Sequence, residues 1–379
     1  MIKRTEIQDM VDGYKNIKDP KDMTIGIFGS HSAEEIGVSA KASGFKTVLI
    51  AEIGRETLYT RYSKKLYDNV ILLDRFKDII NKKTQDKLNS MKTIFIPNRS
   101  FSVYTGYDNI ENKFKVPLYG NRFILRSEER SAQKNQYYLL KKAGIRTPKK
   151  FKKPEDIDSL AIIKVQQKNN PLERAFFYAK DYEDYKTQSQ KLIRQDIIDE
   201  NELKTSVIEE FIVAPRFNAN FQSYAIETLG TLDFAGFEDR IQTNLMGLLN
   251  LPAKDQLKLD ITIKNEEIGH HGLTMRESKK ILVYNAAEKF RETCKKEYPP
   301  GIIGLFSLQG AIPEGKDGLE FVVFDVSPRI PGCPCVGPTS PEMRRLSLIH
   351  NEKIESPIDL SMLEIKTALK LDRLKDIVT

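Results

Sequence analysis

Cysteine is scarce in this chain, and its scarcity excludes one common way of holding a fold. The three cysteines are Cys294, Cys333 and Cys335, an odd number in a sequence that opens on Met-Ile-Lys-Arg-Thr-Glu, without the apolar stretch of an export signal. A disulfide framework is therefore not expected. Cys333-Pro-Cys335 has no histidine nearby, and two thiolates alone do not fill a tetrahedral zinc site. All three are read as small structural residues. Long apolar runs are missing too. None reaches the roughly 18–20 residues of a membrane-spanning helix, so a cytoplasmic protein with no membrane partner is expected.

A basic stripe is also lacking. The net charge is +7 and the pI about 9.0, but 60 Lys and Arg are scattered among 53 Asp and Glu, as in Lys64-Lys65, Lys82-Lys83 and Lys295-Lys296. No stacking aromatics are interleaved with them, so nucleic acid is not the expected partner. The remaining use of such a balance is to draw anionic metabolites into a cleft.

What is present reads as globular. The chain is 40% hydrophobic and 30% charged, with a mean hydropathy of -0.44. At 379 residues it is long for one core, and two or three packed domains are expected. Thr24 to Phe28, Lys46 to Glu52, Asn69 to Leu73 and Thr93 to Pro97 are short apolar runs. Helical stretches lie between several of them, including Ser32 to Gly44 and Phe76 to Met91. Strands alternating with helices imply a parallel α/β unit. Phe123 to Gly144 reads as one long polar helix closed by glycine. Ala161 to Phe211 is a small strand–loop–strand–helix–strand section. From Arg216 long alternating strands imply an antiparallel sheet, followed by a helix over Arg276 to Glu297 and strands at Gly304 to Gly310 and Phe321 to Ser327. Two helices, Pro341 to His350 and Leu360 to Ile377, finish the chain.

Several short motifs recur in a characteristic order: Gly29-Ser-His-Ser32, Ile96-Pro-Asn-Arg-Ser-Phe101, Tyr119-Gly-Asn-Arg122, Ile208-Glu-Glu-Phe211, Asn244-Leu-Met-Gly247, Arg276-Glu-Ser278 and Phe324-Asp-Val-Ser-Pro-Arg329. In that order and spacing the chain resembles the archaeal ATP-grasp ligases of late purine biosynthesis, the formate-dependent family that makes FAICAR from AICAR. The resemblance runs along nearly the whole length. It implies an α/β and α+β chain: an ATP-grasp fold behind an N-terminal parallel α/β domain over 1–122, a lid subdomain with its leading helix over 123–205, and a C-terminal domain carrying the metal over 206–379.

The resemblance also implies a chemistry and a set of residues. ATP phosphorylates formate, and the amine of an AICAR-like ribotide attacks the formyl phosphate, giving ADP and phosphate. Magnesium (manganese as a substitute) and basic side chains neutralise the charge. His31, Ser100 and Asn244 match positions that bind the ribotide. The first two end parallel strands at the carboxyl edge where α/β proteins place ligands. Lys164 matches the lysine that reaches the ATP phosphates. Glu209 and Glu210 stand on the strand that holds adenine and ribose. Gln309 and Asp325 match the metal ligands, and Arg329 the group that meets the transferred phosphate. A homo-oligomer is expected on the same ground.

Three departures accompany these matches. Asn98-Arg99 replaces the family's His-Gly before Ser100, and Arg99 is a candidate phosphate partner. Residues 165–174 contain no glycine, although non-glycine residues rarely adopt the φ > 0 conformations of a phosphate-gripping loop. Lys168 and Arg174 are left as candidates to supply charge there. Gln242 and Met246 flank Asn244 where the family tends to have carboxylates. These departures keep two alternatives open: an ATP-grasp ligase for another acid or amine, and a nucleotide-binding paralogue without catalysis. His270-His271 is read as exposed loop without a role.

Overall fold

The computed structural model describes residues 1–166, 174–242, 247–259, 267–315, 318–333 and 336–379. The chain divides into two compact units. The larger comprises Met1–Ile145, Arg216–Gly310 and Asp325–Thr379, and the smaller Arg146–Pro215 with Ala311–Phe324.

In the larger unit, helix α1 (Arg4–Asp12) precedes strand β1 (Thr24–Phe28), helix α2 (Ala33–Ala42), strands β2 (Lys46–Glu52) and β3 (Asn69–Leu73), helix α3 (Lys82–Ser90), strand β4 (Thr93–Ile96) and helix α4 (Arg99–Thr105). The four strands form a parallel sheet in the order β3-β2-β1-β4. Burial on both faces explains the apolar runs of β1, β2 and β4, whereas β3, at the edge, leaves Leu72 exposed. Ile25, Ile27, Leu49, Ile94 and Ile96 pack into one core, while Phe28, Val48, Ile50 and Phe95 join a second with Phe76, Leu88 and Phe101. The period-2 alternation of strand side chains sorts them. All four strands lie where the sequence places them.

The expected helix over Phe123 to Gly144 is not continuous. A short 3₁₀ turn covers Ile124–Glu128, and helix α5 begins only at Gln136 and runs to Lys142. Asn135 starts α5 as its cap, its side chain accepting from the Tyr138 N–H. The stretch before it offers no apolar periodicity to hold a helix down, and its Glu128 is buried for another purpose. Phe76 to Met91 likewise divides at Asn81, whose ψ of 138° is extended. The last helix also stops early, at Lys370: Asp372 takes φ +57°, and a separate turn covers Leu374–Ile377.

The smaller unit holds strands β5 (Lys150–Phe151), β6 (Ala161–Gln166) and β7 (Arg174–Ala179), helix α6 (Tyr182–Arg194) and strand β8 (Val207–Glu210). Its sheet runs β5-β8-β6-β7 with antiparallel pairs, over a core of its own that includes Ile163, Val165, Phe177, Tyr185 and Ile208.

A second, five-stranded sheet follows from β9 (Arg216–Ser223), β10 (Leu232–Gln242), β11 (Glu267–Leu273), β12 (Gly304–Ala311) and β13 (Val322–Ser327), in the order β11-β10-β9-β12-β13. The β9–β10 and β10–β11 pairs are antiparallel, as the alternating pattern requires. Helices α7 (Glu277–Glu297), α8 (Pro341–His350) and α9 (Pro357–Lys370) complete the chain. Cys294 and Cys333 are both buried, and Cys335 lies outside the described residues. Among the described residues no helix is long and apolar enough to cross a membrane.

Candidate active site

The turn from β1 into α2 is the most constrained backbone of the larger unit. Ser30, His31 and Ser32 all have positive φ, at 96°, 26° and 63°. Three consecutive non-glycine residues in that region carry strain that the surroundings must hold. The Ser30 N–H donates to the Tyr59 hydroxyl at 2.5 Å. Asn98 does the rest. Its side-chain N–H₂ donates to the carbonyls of Phe28, Ser30 and His31 at 2.9, 3.2 and 2.8 Å, and its Oδ1 accepts from the Phe101 N–H at 2.9 Å. One amide, fully buried, thus pins the turn and caps α4, the helix on which Ser100 sits. The departure at position 98 is a clamp between two strand ends.

Arg99 does not reach out for a phosphate. Its NH1 donates to Glu128 Oε2 at 2.9 Å, and Arg329 donates from NH2 to the other oxygen of the same carboxylate, also at 2.9 Å. Arg329 NH1 is turned to its neighbour's carbonyl, Ile330 O, at 2.9 Å. Its Nε is buried without a hydrogen-bond partner. A guanidinium so placed is oriented by Glu128 and retains a donor for an anion. With Pro97, Gly120, Asn121, Gly304 and Pro328, Arg329 lines a pocket.

The segment that carries Arg329 returns past the strained turn. Ser32 Oγ donates to the Pro331 carbonyl at 3.5 Å and lies 3.4 Å from His31 Nδ1. A Cβ added at Gly332 would stand 2.9 Å from His270 Nε2 and 3.5 Å from His31 Nε2. Two imidazoles therefore converge over one glycine. His270 is not exposed loop, as the sequence suggests, but a largely buried residue of β11. Its Nδ1 makes a very short hydrogen bond to Glu238 Oε2. Register explains the contact. Gly272 stands directly opposite Glu238, so no side chain blocks the ring of His270, one diagonal step away. Glu238 is 1% exposed and also accepts from Asn218 Nδ2 at 2.9 Å.

Glu35, on α2 behind the turn, faces this cluster. Burial pushes its carboxyl up to about 7, against a Ser32 hydrogen bond and the nearby His270. Its Oε2 is buried without a partner.

In the smaller unit Lys164 Nζ donates to Glu209 Oε2 at 2.5 Å, and Lys150 approaches the same carboxylate at 4.0 Å. Glu209 is 3% exposed, no surface glutamate. Glu210 accepts from Arg146 NH2 at 2.9 Å and from the Lys149 N–H at 3.0 Å. The two carboxylates that the sequence pairs thus point to different partners.

Of the two expected metal ligands, Asp325 accepts from Gln136 Nε2 at 2.6 Å, which fixes the carboxylate's orientation. Gln309 Oε1 already accepts from the Arg240 guanidinium at 3.3 Å. Among the described residues no three histidine, cysteine or carboxylate side chains gather as a metal site. Asn244 and residues 167–173 of the glycine-free loop lie outside the described residues. Sequence reasoning passed over Asn98 as a clamp, Glu128, Glu238 and His270. Only Asn98 carried a visible signal, as an asparagine opening a helix.

Comparison with known proteins decides the family. A domain of unknown function (DUF1297) matches residues 184–379, and a protein of unknown function (DUF1246) matches residues 25–151. The 5-formaminoimidazole-4-carboxamide-1-(beta)-D-ribofuranosyl 5'-monophosphate synthetase of Methanothermobacter thermautotrophicus is 34% identical over 382 residues, covering 100% of this chain and 99% of that protein. The protein of the same name from Methanocaldococcus jannaschii is 34% identical over 381 residues, with 100% of each covered. The chain belongs to this synthetase family. An IMP biosynthesis protein, PurP, from Thermococcus kodakaraensis aligns with a TM-score of 0.67 at 21% identity, over 94% of this chain and 100% of that one. N5-carboxyaminoimidazole ribonucleotide synthetase from Thermotoga maritima aligns at 0.51 and 15% identity, over 88% of this chain and 77% of that one. The expected ATP-grasp fold is thereby established.

Proposed function

We infer that the protein is the ATP-dependent ligase of purine biosynthesis that formylates AICAR to FAICAR, using formate and releasing ADP and phosphate. The observation that carries this reading is the identity to named synthetases along the full length, joined to the clamped turn that presents His31 beside the segment bearing Arg329.

On this reading His31 and Ser100, with Asn244, bind the ribotide, and Asn98 fixes the backbone from which the first two act. Lys164 neutralises ATP phosphate, and Glu209 keeps its ammonium in place. Glu210 and the β8 backbone take the ribose and adenine. Arg329, oriented by Glu128, stabilises the phosphoryl group in transit through its unpaired Nε. Positioning of this kind supplies most of the catalysis where little covalent chemistry falls to the protein.

The residues fit a magnesium ion held lightly. Asp325 offers a pre-oriented hard oxygen, whereas Gln309 already faces a cation. Magnesium is typically bound through one or two carboxylates together with phosphates and water. When bound, the ion neutralises phosphate charge and polarises the transferred group. Asp325 would hold it. We further take the enzyme to work in the cytoplasm as a homo-oligomer.

The test is ADP release with ATP, magnesium, formate and AICAR, each omitted in turn. Release that needs both formate and AICAR is expected. ATP binding by calorimetry with no such release would overturn the reading in favour of a non-catalytic nucleotide-binding protein. Release with another acid or amine, and not with this pair, would move the substrate assignment.

A further inference from the structure

We propose that the pocket lined by Arg329 seats the acid substrate, and that its apolar wall restricts that acid to formate. This rests on the ligase reading above and adds to it the residues that set the size of the acid.

Charge points to an acid. Arg99 and Arg329 each donate to Glu128, one to each carboxylate oxygen. Among the described residues neither guanidinium pairs with another carboxylate, so two cations share one anion. The side chains of Arg329 and Glu128 are 8% and 7% exposed. A surplus charge held this far from water is costly unless an opposite charge meets it. One negative charge balances the cluster, and that is the charge of a monocarboxylate. The chemistry requires the same neighbourhood. One formate oxygen bonds to the terminal phosphorus of ATP as the bond to the ADP oxygen breaks, and the electron pair of that bond leaves with ADP. The acid must therefore lie beside the group that meets the phosphoryl in transit, and on the ligase reading that group is Arg329.

The rest of the pocket offers such an acid no further polar side chain. Tyr119 and Asn121 line it too, but their polar atoms are committed elsewhere. The Tyr119 hydroxyl donates to Glu364 Oε2 at 2.7 Å. Asn121 Nδ2 donates to the Tyr298 and Gly301 carbonyls at 2.8 and 2.9 Å, and its Oδ1 accepts from the Phe123 N–H at 3.1 Å. Leu125, Ile303 and Leu305 supply apolar wall. One guanidinium in an apolar setting suits a small anion whose remaining surface is a C–H. An acid with an added hydroxyl would leave it unpaired there.

Size narrows the choice further. The cavity measures about 10 Å³, room for roughly one water-sized group. Its narrowness is built into the backbone. Gly120 and Gly304 have φ of +97° and +92°, and a Cβ added at Gly304 would stand 2.8 Å from Tyr119 Cε1, one at Gly120 3.0 Å from the Ile303 carbonyl oxygen. The wall is closed to contact at both glycines. With its oxygens at Arg329, formate presents only a C–H to this space, whereas acetate presents a methyl group.

The experiment uses the full-length wild type, Ile303→Val, Ile303→Ala, Leu346→Ala and Arg329→Gln, with ATP, magnesium, AICAR and either formate or acetate. The wild type is expected to release ADP with formate and to use acetate at least about 100-fold less well in kcat/KM. Ile303→Ala opens the wall, and the formate-to-acetate ratio should fall at least about tenfold. Ile303→Val, the milder change, should lower it about two- to threefold in a chain that keeps its fold. Leu346→Ala removes a buried side chain of α8 that does not line the pocket, and should keep the wild-type ratio, which separates a wider pocket from a looser protein. Binding is read without ATP, from the NMR line width of isotopically labelled formate. The wild type should broaden the line. Arg329→Gln, which leaves Arg99 and Glu128 as a balanced pair, should not. A wild-type ratio in both Ile303 variants, or equal broadening by Arg329→Gln, would overturn the proposal while leaving the ligase reading intact. A wild type that releases no ADP with formate and AICAR would overturn the ligase reading itself, and this proposal with it.

Discussion

Asn98 shows how much one buried amide can hold. It satisfies three carbonyls of a turn whose three residues all have positive φ, and no smaller side chain reaches them. Replacing it by alanine leaves several buried backbone acceptors unpaired and removes a helix cap. Asn98→Ala should cost on the order of 2–4 kcal/mol of stability by urea unfolding. It should also raise the AICAR KM at least tenfold, while the ATP KM stays near wild type. Equal damage to both constants would show that the clamp serves the fold in general and not the ribotide turn. Glu35 gives a second residue-scale expectation, with a sign that can be worked out. Burial raises its carboxyl from 4.5 to about 7 in the folded chain, so the folded state binds a proton that the unfolded state releases earlier. Its contribution is fully present below about pH 4.5 and is lost as pH rises through about 7. Glu35→Gln should therefore remove a decline in stability between those limits. The slope removed is at most one proton's worth, about 1.4 kcal/mol per pH unit. Parallel stability–pH curves for the two proteins would contradict this assignment.

At the scale of elements, β10 depends on a distortion that no propensity scale suggests. Gly236 has φ +110°, at the register shift where β10 bulges against β9. Its added Cβ would meet Val336 Cγ1 at 2.7 Å. The bulge re-aims the strand so that Glu238, two residues on, faces Asn218 and His270. Gly236→Ala meets both a forbidden backbone region and a packed side chain, and should destabilise by about 2–3 kcal/mol. The urea midpoint measures the loss, and an unshifted midpoint would mean that the bulge relaxes freely. This element also marks the limit of what could be read from sequence. Strands β1, β2 and β4 were legible because burial on both faces leaves a continuous apolar run, and α8 because Ser340 and Pro341 announce its start. The division at Asn81 and the broken stretch before α5 were not, since the polar residues there fit a helix and are held elsewhere by tertiary contacts. His31 and Ser100 could be placed as strand-end residues. The Glu238–His270 pair could not, because it joins residues 32 positions apart through a glycine opposite and a bulge, and neither feature has a one-dimensional pattern.

At the scale of the whole molecule, the smaller unit has its own sheet and its own apolar core, and its sheet also carries a largely buried ion pair. Lys164 and Glu209 are 15% and 3% exposed in their side chains. Removing one partner of such a pair leaves a buried charge, at a cost of about 3–5 kcal/mol. The larger unit has apolar clusters and buried charge pairs of its own, Arg329–Glu128 among them, which a change at Glu209 leaves intact. A chain built this way need not unfold as one cooperative block. Glu209→Ala is therefore expected to move a lower calorimetric transition downward and leave the upper one in place. ATP protects a unit in proportion to how tightly it binds there, so if Lys164 holds the phosphates, ATP should raise the lower transition of the wild type and do much less for Glu209→Ala, whose lysine is no longer positioned. A single transition that shifts as a whole would show that the two units stand or fall together, and an undiminished ATP shift in the variant would remove Lys164 and Glu209 from the nucleotide site.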